Sequence, residues 1–218
     1  GGNTHLGSII LLIPLAAAGA IRAIKGKSTM RMLRRDLTRV LTSATPSDTV
    51  DLYDAIAQAK PGGLGRVEKL DVNDPGSKKT ILSGHITPYE VFEMAAEYDT
   101  IAREWTTGYR ITFDFAYPYF KRIRKTAELN DAIVNTFLRI LAEVPDTFIV
   151  RKFGLGRAEE ASKMAREVLD AGGMLTDNGS KMVWNLDARW REEGVNPGTT
   201  ADLISSTLSI ATLRGLRP

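Results

Sequence analysis

At 218 residues, with 43% hydrophobic and 25% charged side chains and a formal net charge of +3, the chain has room for a sizeable buried core and carries only a mild basic excess. That balance fits an anionic ligand and does not demand nucleic acid, and none is expected as a partner. Cysteine is absent, which excludes disulfides, thiolate catalysis and thiolate metal sites and is compatible with a reducing cytoplasm; two histidines, His5 and His85, are too few for a His-rich zinc centre.

The chain opens on GGNTHLGSIILLIPLAAAGAIRAIK, without Met, and runs quickly into apolar sequence. Only His5 precedes the apolar stretch and the first arginine is Arg22, so the positive flank of a secretory signal is missing, although the small residues Ala16 to Ala20 imitate a cleavage site. The uninterrupted run, residues 9–21, is shorter than the ~20 residues of a membrane span and holds Pro14. A buried core helix is expected, with no membrane partner, in a chain that lacks an N-terminal piece.

Helix after helix follows. Residues 28–43 place Leu33, Leu37, Val40 and Leu41 on one face and Arg31, Arg34, Arg35 and Arg39 largely elsewhere. Thr45-Pro46-Ser47-Asp48 reads as a helix start, with Pro at the first position and the Asp in capping-box position; the helix should stop at Lys60-Pro61-Gly62. The stretch 61–86 has no clear helix and is too long for an inert loop, so it is functional or disordered. Thr87-Pro88-Tyr89-Glu90 repeats the start signal, and one helix is expected from there to Gly108. ITFDFAYPYF, 111–120, alternates like a strand, but Pro118 and its neighbours argue for a helix or an irregular packed segment. Further helices are expected over 128–144, 157–171, from Asp177 or Asn178 to Gly194, and over 200–214. With no βαβ pattern, the expected architecture is all-α: a multi-helix bundle with a long Gly-rich connection, one domain over 1–218.

Four polar groups of residues invite chemistry. Asn3-Thr4-His5-Leu6-Gly7 sits at the mouth of the first helix, where free N–H groups attract anions, though a plain cap is the commoner meaning. Pro61-Gly62-Gly63-Leu64-Gly65, followed by Lys69, Asp71, Asn73 and Asp74, offers backbone to a phosphate and carboxylates to Mg²⁺, and is equally good as a linker. Asp99 and Arg103, four apart with Glu104 beside them, read as a surface ion pair or as charges turned between helices. Pro145-Asp146-Thr147-Phe148-Ile149-Val150-Arg151-Lys152 and Asn196-Pro197-Gly198-Thr199-Thr200-Ala201-Asp202 complete the set. The last combines a turn, two capping hydroxyls and a carboxylate in the first turn of a helix, which suits phosphate plus Mg²⁺ and also an ordinary helix start.

NTHLG at 3–7, PDTFIVRK at 145–152 and NPGTTADL at 196–203 resemble, in that order, motifs of the triphosphoribosyl-dephospho-CoA synthase family, and REWTTGYRITFDFAYP at 103–118 resembles a divergent form of another. The Gly-rich loop and EYDTIAREW look closest to archaeal-type members. The resemblance implies an all-α fold and a transfer in which a ribose hydroxyl of 3′-dephospho-CoA attacks the ribose C1′ of ATP and adenine leaves. The product is the precursor of the citrate lyase prosthetic group. The family's Lys-Pro-Gly motif, which precedes NTHLG, has no match here, so the chain reads as the C-terminal part of a longer protein.

On that resemblance, Asp146, Asp202 and His5 are the catalytic candidates. Asn3, Thr4, Arg103, Arg151, Lys152, Asn196, Gly198, Thr199 and Thr200 are candidates for substrate binding, and Asp71, Asp74 and Asp202 for Mg²⁺ brought with ATP. The cations grip phosphates, and a carboxylate stabilises the positive charge that builds at C1′. ATP, a CoA-like acceptor, a cytoplasmic location and compatibility with a homo-oligomer complete the expectation. The alternatives are a non-catalytic helical binding or assembly module and a nucleotide hydrolase.

Overall fold

A computed structural model describes residues 5–26, 29–59, 67 and 69–216, and among these every regular element is helical. They fall into two compact units, residues 1–109 and 110–218. The first unit holds α1 (Leu6–Lys25), α2 (Met30–Thr42), α3 (Pro46–Ala59), α4 (Pro75–Ser83), α5 (Pro88–Ala95) and α6 (Thr100–Thr107). The second holds a π-helical stretch (Ile111–Ala116) that runs into α7 (Tyr117–Ile123), then α8 (Leu129–Glu143), α9 (Thr147–Phe153), α10 (Leu155–Asp170), a 3-10 turn (Gly173–Leu175), α11 (Asp177–Glu193) and α12 (Gly198–Leu213).

In the first unit α1 packs on α2, burying Leu11, Leu15 and Ala18 of one and Leu33, Leu37 and Leu41 of the other. Each fully buried leucine contributes roughly 1.5–3 kcal/mol of transfer free energy. Pro14 lies inside α1 and has no N–H, so it leaves the Ile10 carbonyl without its helical donor. The indole of Trp105 takes that place, donating to Ile10 O at 3.2 Å, and the Tyr109 hydroxyl donates to Leu11 O at 3.0 Å. Pro14 therefore does not break the helix. Its cost is met by two side chains about 95 residues away in sequence.

The expected buried first helix is buried on one face only. Ile9, Ile13 and Ile24 are exposed, and among the described residues α1 is the one helix long and apolar enough by composition to cross a membrane. Tyr109, fully buried, follows Gly108 in a second consecutive left-handed conformation, φ 57° after φ 61°. A non-glycine residue held there is strained by ~1–3 kcal/mol, which its burial and hydrogen bond offset.

Two sequence expectations need correction. The single helix from 88 to Gly108 is two. The capping box of Thr87 and Glu90 starts α5 as expected, but the chain turns at 96–99 and Asp99 caps a new helix, accepting from Ile101 N at 2.7 Å and Ala102 N at 3.2 Å. The stretch 61–86 is not helix-free. Asp74 caps α4, accepting from Gly76 N at 2.8 Å, and Pro75 takes the first helical position. The Gly-rich part at 61–65 lies outside the described residues.

The second unit is organised by α8 and α10. Ala158, Ala161 and Ala165 on α10 are small and buried, and they pack in one core with Leu138 and Leu141 of α8, Ile149 of α9 and Leu186 and Trp190 of α11. The aromatic segment 111–120 resolves as the π-helical stretch and α7, the helical reading of its two. The turn after α10 depends on a close backbone approach. Gly173 has φ 55°, and a Cβ there would lie 2.2 Å from Asn135 Oδ1, the atom that accepts from Met174 N at 2.8 Å.

Candidate functional site

The two late motifs singled out in the sequence meet in the second unit. Asp146, 1% exposed, caps α9 with one carboxylate oxygen. Oδ1 accepts from Phe148 N at 2.9 Å and Ile149 N at 3.1 Å. Its other oxygen belongs to α12, where Oδ2 accepts from Thr200 N at 2.7 Å and Thr200 Oγ1 at 2.8 Å. Thr199 returns the favour: its hydroxyl accepts from Phe148 N at 3.1 Å and shares a 3.1 Å hydrogen bond with the Thr147 hydroxyl. Each helix start is thus capped by a side chain from the other, across 51–54 residues of sequence.

Gly198 makes this fit possible. A Cβ on it would meet the Phe148 ring at 3.3 Å, tighter than ordinary contact. Burial pushes the Asp146 carboxyl above its usual range, and the donors from Thr200, Ile149 and Phe148 pull against that shift.

This corrects the expected local geometry of α12. Its own N-cap is Pro197, without a side-chain cap, and the Thr hydroxyls serve α9 and Asp146 instead. No acid lies in its first turn; Asp202 follows it, half-buried. The accessible members of the group are Arg151, Lys152, Asn196 and Asp202. Arg151 stands 5.7 Å over the Phe148 ring, one turn along α9. Lys152 donates to Gly194 O at 3.1 Å, where α11 ends, and lies 4.9 Å from the Phe153 ring centre. Asn196 is exposed and its carbonyl accepts from Gly198 N at 2.8 Å.

The remaining candidates lie in the first unit. His5 is exposed at the N-cap position of α1 and makes no side-chain cap bond; Asn3 and Thr4 lie outside the described residues. Arg103 reaches back from α6 to the end of α5, donating to Ala96 O at 3.0 Å and Glu97 O at 3.1 Å. Asp71 accepts from Asn73 N at 2.7 Å and Val67 N at 3.0 Å, and Asp74 caps α4, so both carboxylates hold turns. Among the described residues no three His, Asp or Glu side chains gather as a protein-held metal requires.

Thr147 and Phe148 are the members that sequence reasoning passed over. A hydroxyl next to a cap carboxylate, facing a Thr-Thr pair, was the available signal.

The sequence profile of the ATP:dephospho-CoA triphosphoribosyl transferase family matches residues 1–218. The 2-(5''-triphosphoribosyl)-3'-dephosphocoenzyme-A synthase of Klebsiella pneumoniae is 30% identical over 208 residues, covering 95% of this chain and 60% of that protein. A "probable" synthase of the same name from Malonomonas rubra is 22% identical over 223 residues, covering 95% of this chain and 68% of that protein. The chain thus spans about two thirds of the length of the curated relatives it matches. A crystal structure of a candidate triphosphoribosyl-dephospho-CoA synthase from Archaeoglobus fulgidus superposes with a TM-score of 0.77 at 23% identity. It covers 99% of this chain and 85% of that one, and so shares the all-α fold. With a match that runs from the first residue to the last, the chain belongs to the ATP:dephospho-CoA triphosphoribosyl transferase family.

Proposed function

We propose that the protein transfers the 5′-triphosphoribosyl group of ATP to a ribose hydroxyl of 3′-dephospho-CoA, in the cytoplasm, with release of adenine. The acceptor oxygen bonds to C1′, the C1′–N bond to adenine breaks, and the hydroxyl proton ends on the departing base. The observation that carries this reading is the junction of α9 with α12, which assembles two family-like motifs into one rigid corner. Arg151 and Lys152 follow Asp146 on α9 and Asp202 follows Thr200 on α12, charges of the signs that a phosphorylated, transiently cationic ribose calls for.

In this reading Arg151 and Lys152 bind phosphate oxygens, and Asn196 and the Gly198 backbone position the ribose. Asp202 stabilises the charge growing at C1′ or accepts the hydroxyl proton. Asp146, Thr199 and Thr200 are positioning residues, because their polar atoms are already bonded within the corner. Mg²⁺, when bound with ATP, neutralises the triphosphate.

The test supplies the full-length protein with Mg-ATP and 3′-dephospho-CoA and follows free adenine by chromatography. Adenine should accumulate in step with the acceptor adduct, and Asp202→Asn should slow it by roughly 100-fold in kcat. Phosphate release without adenine would assign nucleotide hydrolysis instead. No turnover and no thermal shift with Mg-ATP would leave a helical binding module.

A further inference from the structure

From Leu6 to Ile21 the chain carries no charged side chain, yet α1 keeps one face open to water. The exposed positions along the helix are Ile9, Ile13, Ala16, Ala20 and Ala23, followed by Ile24 and Lys25. The first five are spaced by 4, 3, 4 and 3 residues, the repeat that keeps one seam of a helix turned toward a partner helix. Ile9 is 49% exposed, Ile13 65% and Ile24 87%. Scattered apolar residues are ordinary on a surface, but an unbroken apolar seam marks a contact face. The opposite face is already taken, since Leu11, Leu15 and Ala18 are buried against α2.

We propose that this seam pairs with the same seam of a second copy of the chain, antiparallel, about a two-fold axis at Ala16. The order of the side chains selects that occupant. Isoleucine holds the first two positions of the seam and alanine the last three. In an antiparallel pair Ile9 faces the partner's Ala23, Ile13 faces the partner's Ala20, and Ala16 faces its own counterpart. Each large side chain then meets a small one, so the helix axes approach closely and the contact fills evenly. Each contact also occurs twice, as a two-fold interface requires. A parallel pair would set isoleucine on isoleucine and alanine on alanine, splaying one end and leaving a gap at the other. It would also align the two helix dipoles and bring both Lys25 side chains together.

A lipid surface fits less well. Helices that lie on membranes carry several open cations, whereas α1 offers Lys25 alone, because Arg22 is buried on Asp36. Covering the seam on both copies removes on the order of 1,000 Å² from water, the lower edge of a specific interface. The expected assembly is therefore a reversible dimer, with a dissociation constant on the order of micromolar. The inference rests on α1 alone and is independent of the transfer reaction.

The experiment is sedimentation equilibrium of the whole chain over a wide concentration range. Three proteins are compared: wild type, Ile9→Glu/Ile13→Glu, and the control Lys163→Glu/Lys181→Glu on exposed positions of the second unit. Wild type and control should pass from monomer to dimer together, and the seam variant should dimerise roughly 100-fold more weakly. The substituted isoleucines are solvent-facing, so circular dichroism of dilute samples should match for all three. The chain has no cysteine, which allows a second reading that disturbs the seam less. With a short bis-maleimide, Ala16→Cys should cross-link to itself, and Ile9→Cys should cross-link to Ala23→Cys in a mixture. Ile9→Cys should not cross-link to itself, because the antiparallel pair holds those two positions about 21 Å apart along the axis. A chain that stays monomeric, a dimer indifferent to the two glutamates, or Ile9→Cys joining itself as readily as Ala16→Cys overturns the proposal. A monomer that cosediments with phosphatidylglycerol vesicles also overturns it and assigns the face to lipid.

Discussion

The junction of α9 with α12 and the arginine face of α2 are opposite solutions to placing charge on a helical scaffold. At the junction a carboxylate is taken almost wholly out of water, and every oxygen lone pair direction it offers is met by a donor from its own chain. On α2 three cations crowd one face with a single acid among four arginines, and that acid faces inward. The first arrangement is complete as it stands, and its energy is spent on fixing where two helices begin. The second leaves like charges side by side at the surface, with Arg34 bonded to the Thr107 and Gly108 carbonyls and Arg35 to Asp36. Polar residues at the buried, saturated cluster are therefore expected to govern stability, and those on the exposed face to move it little.

The hardest test of that contrast is Asp146→Ala. It strips acceptors from the N–H groups of Phe148, Ile149 and Thr200 in a buried corner, and should cost roughly 3–5 kcal/mol in urea unfolding. A loss below about 1 kcal/mol would mean that water replaces the carboxylate and the corner is not saturated. Thr199→Val keeps the volume but removes the hydroxyl that accepts from Phe148 N and bonds Thr147, for an expected loss of about 1–2 kcal/mol. In the double variant the two losses should not add, because both act on the Phe148 N–H.

How much of this could be read from residues alone depends on the range of the interactions. Thr87 with Glu90 is a three-residue signal, and the capping box stands where it was expected, with Thr87 N donating to Glu90 Oε2 at 2.7 Å. The break at 96–99 was hidden because Ala95, Ala96 and Glu97 favour helix and the apolar spacing continues through it. Asp99-Thr100, a cap signal, was masked by its match to an ion-pair spacing with Arg103. Asp74-Pro75 was missed in the same way, inside a stretch whose glycines read as loop. The motifs around Asp146 and Thr199 were legible as polar and helix-initiating. That each caps the other's helix was not, since no local pattern carries a bond across 51 residues. The tie between α2 and α6 was legible only as arginines outside the apolar face, because the acceptors of Arg34 are the Thr107 and Gly108 carbonyls at the end of α6.

Along α2 the arginines should separate by what they touch. Arg34→Gln gives up two hydrogen bonds to the Thr107 and Gly108 carbonyls and should lower stability by about 1 kcal/mol. Arg31→Gln gives up neither of those bonds. It removes one of the like charges at i, i+3 and i+4, so stability should change by less than about 0.5 kcal/mol and in the favourable direction at low salt. That small gain should vanish as ionic strength rises and screens the repulsion. A marked destabilisation by Arg31→Gln would show that the residue is bonded into the fold as Asp146 is, and the distinction between a completed cluster and an open one would fail where it should be sharpest.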